Sequence, residues 1–197
     1  MPTPEPKEVF DVVIIGGGPI GIACGLEAKK QGLKYLIVEK GCLVNSLYNY
    51  PTNMTFFSTS EKLELDDIPF ISNNPKPKKA EALEYYRRIA TSNHLNINLF
   101  EEVLDVTSQK GLHQVNTSKR LYNTKNVVVA TGFYDIPNYL DIPGEELPKV
   151  SHYYGDPHYY ATQRTLVVGA SNSAVDAALE IYRKGGKVTM LVRRPEI

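Results

Sequence analysis

Residues 9–39 read Val-Phe-Asp-Val-Val-Ile-Ile-Gly-Gly-Gly-Pro-Ile-Gly-Ile-Ala-Cys-Gly-Leu-Glu-Ala-Lys-Lys-Gln-Gly-Leu-Lys-Tyr-Leu-Ile-Val-Glu, and this order of residue types decides the fold. Val9–Ile15 is rich in β-branched residues and runs into glycines, the pattern of a buried parallel strand. Residues 19–31 predict a helix, with proline suited to its first turn and Gly32 to its end. Residues 34–39 predict a second strand. Together they make a compact βαβ unit whose crossover is expected to be right-handed.

Outward from this unit, residues 40–77 are rich in Asn, Ser, Thr and Pro and predict a long loop. Its aromatics (Tyr48, Tyr50, Phe56, Phe57, Phe70) argue against disorder, and so long a loop is usually functional when ordered. Residues 79–93 predict an amphipathic helix and residues 97–100 a strand. Residues 103–122 predict two or three short antiparallel strands, turning near Lys110-Gly111 and Thr117-Ser118. Residues 126–130 (Asn-Val-Val-Val-Ala) predict another buried strand. Proline and glycine between 136 and 148 mark a linker. A second βαβ unit follows: a strand at 165–168, a helix at 173–184 and a strand at 187–192. The expected fold class is therefore α/β, with two dinucleotide-binding, Rossmann-like βαβ units. The first sits in a domain over residues 1–144 that carries a small antiparallel meander. The second opens an incomplete domain over residues 145–197, so the chain is expected to be truncated.

The formal net charge is zero, which predicts no nucleic-acid footprint and no basic membrane surface. No apolar run approaches the roughly 20 residues of a membrane span. The proline-rich start is polar, unlike a signal peptide, and reads as a disordered lead-in. The two cysteines, Cys24 and Cys42, form neither a CxxC pair nor a paired-CxxC zinc site. They read as structural thiols in a reducing cytoplasm.

Gly16-Gly17-Gly18-Pro19-Ile20-Gly21 fits G-x-G-x-x-G directly after a strand. Gly16 permits the tight turn, Gly18 lets backbone approach a pyrophosphate, and Gly21 allows close packing of helix and strand. The helix N-terminus adds free N–H groups for phosphate. Glu39, about 20 residues on, stands where an acid accepts hydrogen bonds from a ribose diol; a solvated strand-end charge would look the same. The fingerprint does not choose between FAD and NAD. Ala130-Thr131-Gly132 after a later strand favours FAD in this company, although alone it is an ordinary turn.

Gly169-Ala170-Ser171-Asn172-Ser173-Ala174 follows the strand Leu166-Val167-Val168 as a G-x-S-x-x-A variant. Here the second strand ends Leu191-Val192-Arg193-Arg194, with no acid. Two guanidiniums there suit a 2′-phosphate and so select NADPH over NADH; they also read as a plain charged strand end. The contrast between the two halves, an acid for a free ribose and a basic pair for a phosphorylated one, carries most of the functional information.

With these motifs placed, the chain resembles the thioredoxin-reductase-like branch of pyridine-nucleotide flavoproteins. More narrowly it is similar to the bacillithiol-disulfide-reductase-like (YpdA-type) proteins of bacteria. The resemblance runs over Gly16–Gly21, Glu39-Lys40-Gly41, Val44-Asn45-Ser46, Tyr48-Asn49-Tyr50-Pro51, Thr55-Phe56-Phe57-Ser58, Ala130-Thr131-Gly132, Ser151-His152-Tyr153-Tyr154 and Ser171-Asn172-Ser173-Ala174. It implies FAD at Gly16–Gly21, Glu39 and Lys40, with Asn45, Ser46 and Asn49 near the flavin end and the Val103 backbone near the adenine. It also implies hydride transfer from NADPH to flavin, a small-molecule or small redox-protein electron acceptor, and a homo-oligomer when full length. Relatives complete their FAD site with a later segment, so this chain alone is expected to hold FAD weakly or not at all.

Two departures limit what carries over. Thioredoxin reductases place a CxxC before the second fingerprint, where this chain has Ser151-His152-Tyr153-Tyr154; a dithiol relay at that place is excluded. The bacillithiol-reductase-like proteins typically carry a cysteine after the fingerprint proline, where this chain has Ile20. Cys24, one helical turn on, reads as packing. His152, Tyr153, Tyr154, His158, Tyr159 and Tyr160 are expected to cluster in a packing or gating role. The open alternatives are a flavin monooxygenase or ferredoxin–NADP reductase relative, and a non-catalytic FAD/NADP-binding module.

Overall fold

The computed structural model describes residues 8–109 and 111–193; Lys110, Arg194 and the proline-rich lead-in at 1–7 lie outside them. Contacts divide the chain into two compact units. One holds residues up to Asn49 together with Met54–Ile136, the other Tyr50–Asn53 with the residues from Pro137 onward.

In the first unit β1 (Val9–Ile15), α1 (Pro19–Lys30) and β2 (Tyr35–Val38) form the expected βαβ. A one-turn helix α2 (Asn45–Tyr48), α3 (Lys79–Ser92) and β3 (Ile97–Asn98) follow, then β4 (Val103–Gln109), β5 (Leu112–Thr117) and β6 (Leu121–Val129). The six strands form one sheet in the order β3-β2-β1-β6-β5-β4. The pairs β2–β3, β1–β2 and β1–β6 are parallel; β4–β5 and β5–β6 are antiparallel.

From Val12 onward β1 sends successive side chains to opposite faces, the alternation being interrupted at Asp11, which the register with β6 skips, and each face has a cover. Val12 and Ile14 share a core with Ile37, Tyr35 and Ala28 of α1. Phe10 and Val13, with Leu36 and Val38, meet Val115 of β5 and Tyr122 of β6. The Phe10 and Tyr122 rings pack edge to face at 5.9 Å. The meander thus covers the face opposite α1, and β1 is buried on both sides.

Residues 121–129 correct the expected boundaries: the end of the meander and the later apolar strand are a single strand. Asn123-Thr124-Lys125-Asn126 is polar and separates the two expected strands, but Asn123 and Thr124 are paired along both edges and Asn126 with Val12 of β1. Asn123 and Thr124 register with Val9 and Phe10 of β1 and with Gln114 and His113 of β5. Thr124 is fully buried and its hydroxyl donates to the Asn126 carbonyl at 2.8 Å. The Asn126 amide donates to the Asp11 carbonyl at 3.0 Å. A polar run survives inside a sheet when its side chains find partners.

The loop at 40–77 also contains α2 and a 3-10 turn at Ser60–Leu63. Two tyrosines of α3 order its outer part. Tyr85 donates to the Ile68 carbonyl and accepts from the Leu65 N–H, at 2.7 and 2.8 Å, and Tyr86 donates to the Leu63 carbonyl at 2.9 Å. Phe70 stacks on Tyr85 at 4.3 Å.

In the second unit β7 (Arg164–Val168), α4 (Asn172–Arg183) and β8 (Lys187–Leu191) form the second βαβ, its strands parallel. Ala177, Ala178 and Ile181 form the buried side of α4. Both strands alternate between exposed and half-buried residues.

Candidate functional site

The first site is built at the carboxyl ends of β1, β2 and β6, where open parallel sheets place their ligands. Gly16 leaves β1 with φ +111, a conformation that L side chains rarely adopt, and a Cβ there would overlap the Ala130 carbonyl. Its N–H donates to the Val38 carbonyl at 2.8 Å, and the Ala130 N–H donates to that of Ile15 at 2.8 Å. The turn is therefore pinned between its two neighbouring strands, and Ala130-Thr131-Gly132 is brought against it. A Cβ on Gly21 would overlap the Gly16 carbonyl, so the helix starts in direct contact with the turn. A Cβ on Gly18 would meet nothing within 4 Å. That open approach, ahead of the first N–H groups of α1, fits a pyrophosphate.

Glu39 is buried. Its carboxylate accepts the Gly17 N–H at 2.6 Å through one oxygen and the Gly41 N–H at 2.9 Å through the other. Two bonds leave part of the carboxylate's roughly four acceptor sites for a diol. Glu39 therefore braces the turn as well as facing the site, and Gly17 is the partner that motif reading passed over. The signal was available: Gly17 stands between the two glycines that the motif does assign.

Lys40 forms an ion pair with Asp135 at 2.6 Å, and that bond raises the lysine's pKa above its ordinary value. Asp135 was not singled out from sequence; its signal would have been an acid three residues after Gly132. Val44 takes a left-handed conformation, φ +53, and its N–H donates to the Gly17 carbonyl at 3.1 Å. This places Asn45 and Ser46, the start of α2, beside the turn. Asn49 caps α2, its amide donating to the Asn45 carbonyl at 2.9 Å, and its own carbonyl accepts the Tyr134 hydroxyl at 3.3 Å. Burial pushes the Cys42 thiol up, away from thiolate chemistry. Val103 opens β4, two residues after Glu101, whose N–H donates to the Glu39 carbonyl at 2.9 Å. Pro19 and Ile20 open α1, with Ile20 exposed. Cys24, half-buried, packs against the core beneath.

The second site repeats this framework. Gly169 has φ +119 and donates to the Leu191 carbonyl at 2.9 Å, as Gly16 does to that of Val38. Ser171 is the N-cap of α4 and has extended backbone like Gly18, the N-cap of α1. Asn172, Ser173 and Ala174 form the first turn of α4. Ala174 Cβ lies 3.6 Å from where a Cβ on Gly169 would stand, ordinary contact where the first turn has none to spare. By strand register Val192 falls at the place of Glu39 and Arg193, exposed, at that of Lys40. Arg194 lies outside the described residues.

Within the expected aromatic cluster, Tyr159 packs edge-on against Tyr160 at 5.2 Å. His152 bonds Glu145 through Nε2 at 2.8 Å and packs edge-on against Tyr139. Tyr154 donates to Glu180 at 2.8 Å and stacks on Tyr160; burial, reinforced by that carboxylate, raises its phenol well above the usual range. The described residues hold no group of three or more His, Cys, Asp or Glu arranged to bind a metal. None of their helices is long and apolar enough to cross a membrane.

Paired strand–turn–helix units of this kind define a dinucleotide-dependent oxidoreductase fold, and residues 13–197 match the family model described as pyridine nucleotide-disulphide oxidoreductase. The chain belongs to that family. It is 48% identical over 185 residues to bacilliredoxin reductase Bdr of Bacillus subtilis, covering 93% of this chain and 57% of that protein. Among solved structures it is similar to the bacillithiol disulfide reductases Bdr (YpdA) of Staphylococcus aureus and Bacillus cereus. Both give a TM-score of 0.92, at 42% and 46% identity. The alignments cover 97% and 96% of this chain, and 60% and 61% of theirs.

Proposed function

We propose that this protein is an NADPH-dependent flavoprotein oxidoreductase, with FAD at the Gly16–Gly21 turn in a domain over 1–144 and NADPH at the Gly169–Ala174 turn in a domain over 145–197. The observation that carries this reading is the paired geometry of the two turns, with a buried acid bonded back to one and an arginine after the strand in the other. A flavin held at the first turn would supply the hydride-accepting, electron-transferring chemistry. The chain's own residues do the rest. Gly18, Pro19, Ile20 and Gly21 present the pyrophosphate cradle, and Glu39 offers its remaining acceptor sites to a ribose. Lys40, through Asp135, and Ala130, Thr131 and Gly132 shape the flavin side together with Asn45, Ser46 and Asn49. Val103 lends backbone to the adenine. Ser171, Asn172, Ser173 and Ala174 take the second pyrophosphate, and Arg193 with Arg194 the 2′-phosphate.

The acceptor we assign is a small disulfide, of a low-molecular-weight thiol or of a small redox protein such as a bacilliredoxin, met in a reducing cytoplasm. Ile20 supplies no thiol at the first turn, so no mixed disulfide forms at that residue. This one departure favours the second reading, a monooxygenase-like or ferredoxin-reductase-like enzyme, which needs no thiol.

The test is anaerobic stopped-flow absorbance of the full-length protein near roughly 450 nm, where oxidised flavin absorbs. Bleaching by NADPH much faster than by NADH supports the assignment; a bound flavin that neither bleaches defeats it. Reoxidation by bacillithiol disulfide or oxidised bacilliredoxin supports the disulfide acceptor, whereas reoxidation by oxygen or ferredoxin alone supports the second reading.

A further inference from the structure

Glu39 is held in place by more than its carboxylate. Its N–H donates to the Asn98 carbonyl at 2.9 Å and its carbonyl accepts the Glu101 N–H at 2.9 Å; the Phe100 N–H donates to the Gly41 carbonyl at 3.0 Å. Residues 99–102 therefore form a strap running along the segment that carries Glu39 and ending at Val103. β2 and β3 pair over only Ile37–Ile97 and Val38–Asn98, and the strap is also bonded to the turn after β5: the Ser118 N–H donates to the Glu102 carbonyl at 2.7 Å, the Ser118 hydroxyl accepts the Glu102 N–H at 3.1 Å and Lys119 donates to the Leu99 carbonyl at 3.1 Å.

Two features show what anchors it. Phe100 adopts φ +54, which is uncommon for a bulky residue. Packing of its own ring does not explain that, because Phe100 is 66% exposed. The turn instead sends the next residue inward. Glu101 is 1% exposed, a rare place for a carboxylate. It accepts the Thr117 hydroxyl of β5 at 2.6 Å, the Tyr122 hydroxyl of β6 at 2.9 Å and the Asn98 amide of β3 at 3.1 Å. The Asn98 amide also reaches the Tyr122 oxygen at 2.7 Å. Burial, with Glu101 beside it, raises the Tyr122 phenol above its ordinary value, so its proton stays available for donation. One buried carboxylate thus ties the edge of the parallel sheet to the meander on its covered face.

We infer that Glu101 is a positioning residue for the adenosine half of the cofactor: through the strap it holds the Glu39 backbone on one side and Val103 on the other. The inference rests on the cofactor reading above. Glu101 does not touch the cofactor in this scheme; its effect passes through Glu39 and Val103. It favours the adenosine half of the ligand, since among the described residues the Glu101 carboxylate bonds directly to Asn98, Thr117 and Tyr122 and not to α2 or Ala130–Gly132.

The test compares FAD and ADP binding by titration calorimetry in wild-type full-length apoprotein, E101Q and Y122F. E101Q turns one acceptor into a donor facing the donors of its network, and Y122F removes one hydroxyl while keeping the ring in the core. The expected result is a roughly tenfold weakening of both FAD and ADP in E101Q, the worth of one charge-assisted bond. A weakening of about threefold is expected in Y122F. The flavin absorbance spectrum and the rate of reduction by NADPH at saturating FAD stay unchanged. A general structural role would instead alter that spectrum or rate, and either change overturns the inference. Unchanged ADP affinity in E101Q overturns it too. Should E101Q not fold, Y122F decides by the same two criteria. Wild-type protein that binds neither FAD nor ADP overturns the cofactor reading and this inference with it, whereas normal wild-type binding with unaltered variants overturns the inference alone.

Discussion

The two turns share a backbone and differ in what surrounds it. Gly16 and Gly169 have nearly the same positive φ, +111 and +119, and each donates to the last residue of the neighbouring strand. The first turn is tightly packed around Gly16, Gly17 and Gly21 and open at Gly18: Gly21 presses on Gly16, Gly16 on Ala130, and Glu39 on Gly17. The second has room for a methyl group at Ala174 and carries Val192 where the first has an acid. Closely similar strand–turn–helix geometry can therefore be specialised by a handful of residues at its rim, because in both units the turn itself is set by backbone bonds to the neighbouring strand.

The sharpest way to break this comparison is to exchange the packing residues. Gly21→Ala should cost about 2–3 kcal/mol, since its methyl has nowhere to go. Ala174→Gly should cost no more than about 1 kcal/mol, the usual helix penalty. Urea denaturation of the two variants measures the gap, and equal losses would show that the first turn relaxes more easily than its contacts imply.

Next in size is Glu39→Gln. The replacement sets an amide donor against the Gly17 or Gly41 N–H, leaving a buried donor unpaired at about 1–3 kcal/mol. FAD affinity should fall by roughly ten- to a hundredfold, read by fluorescence titration of apoprotein. The counterpart in the other turn is Val192→Glu with Arg193→Ala, which gives the second unit an acid and removes a cation. Its ratio of NADPH to NADH efficiency should drop by at least about tenfold, the value of one charge-assisted contact. Steady-state kinetics with both nucleotides checks this; an unaltered ratio would place the 2′-phosphate elsewhere.

The smallest expected effect is one of pH, and it lies in the second unit. The Glu145 carboxyl is held below its ordinary value, first by the bond to His152 and then by the N–H of Leu140. A depressed folded value means that its contribution is fully present above the ordinary carboxylate range, near pH 4. That contribution is lost only as pH falls through the lower value. The protection factors for hydrogen exchange at the Leu140 and Asp141 amides, both bonded to Glu145, should be high at neutral pH and fall in acid, once the rates are corrected for the intrinsic pH dependence of exchange. Glu145→Gln should remove most of that dependence. A profile identical in both proteins would mean that the carboxylate does not hold this segment.

Much of the fold was legible because its signals are local. The run Val9–Ile15 into Gly16, the spacing from Gly16 to Gly21 and the strand ending in Glu39 each need only neighbouring residues to be read. What was misread was non-local. Residues 123–126 fell between the two expected strands because they are polar, whereas β1 pairs Asn123, Thr124 and Asn126 and β5 pairs Asn123 and Thr124. The acids that bond His152 and Tyr154, Glu145 and Glu180, were likewise not legible, because neither is a sequence neighbour of its partner.

By itself, then, the sequence determined two strand–turn–helix units, the acid that ends one second strand and the arginine pair that follows the other. Backbone conformation and side-chain chemistry at fixed short spacing carry that information. The tertiary structure alone decided that Glu39 bonds back to Gly17, that Lys40 turns to Asp135, and that Glu101 joins β3 to the meander. Each of these depends on which distant strands lie side by side, and a carboxylate or lysine has no partner until packing supplies one.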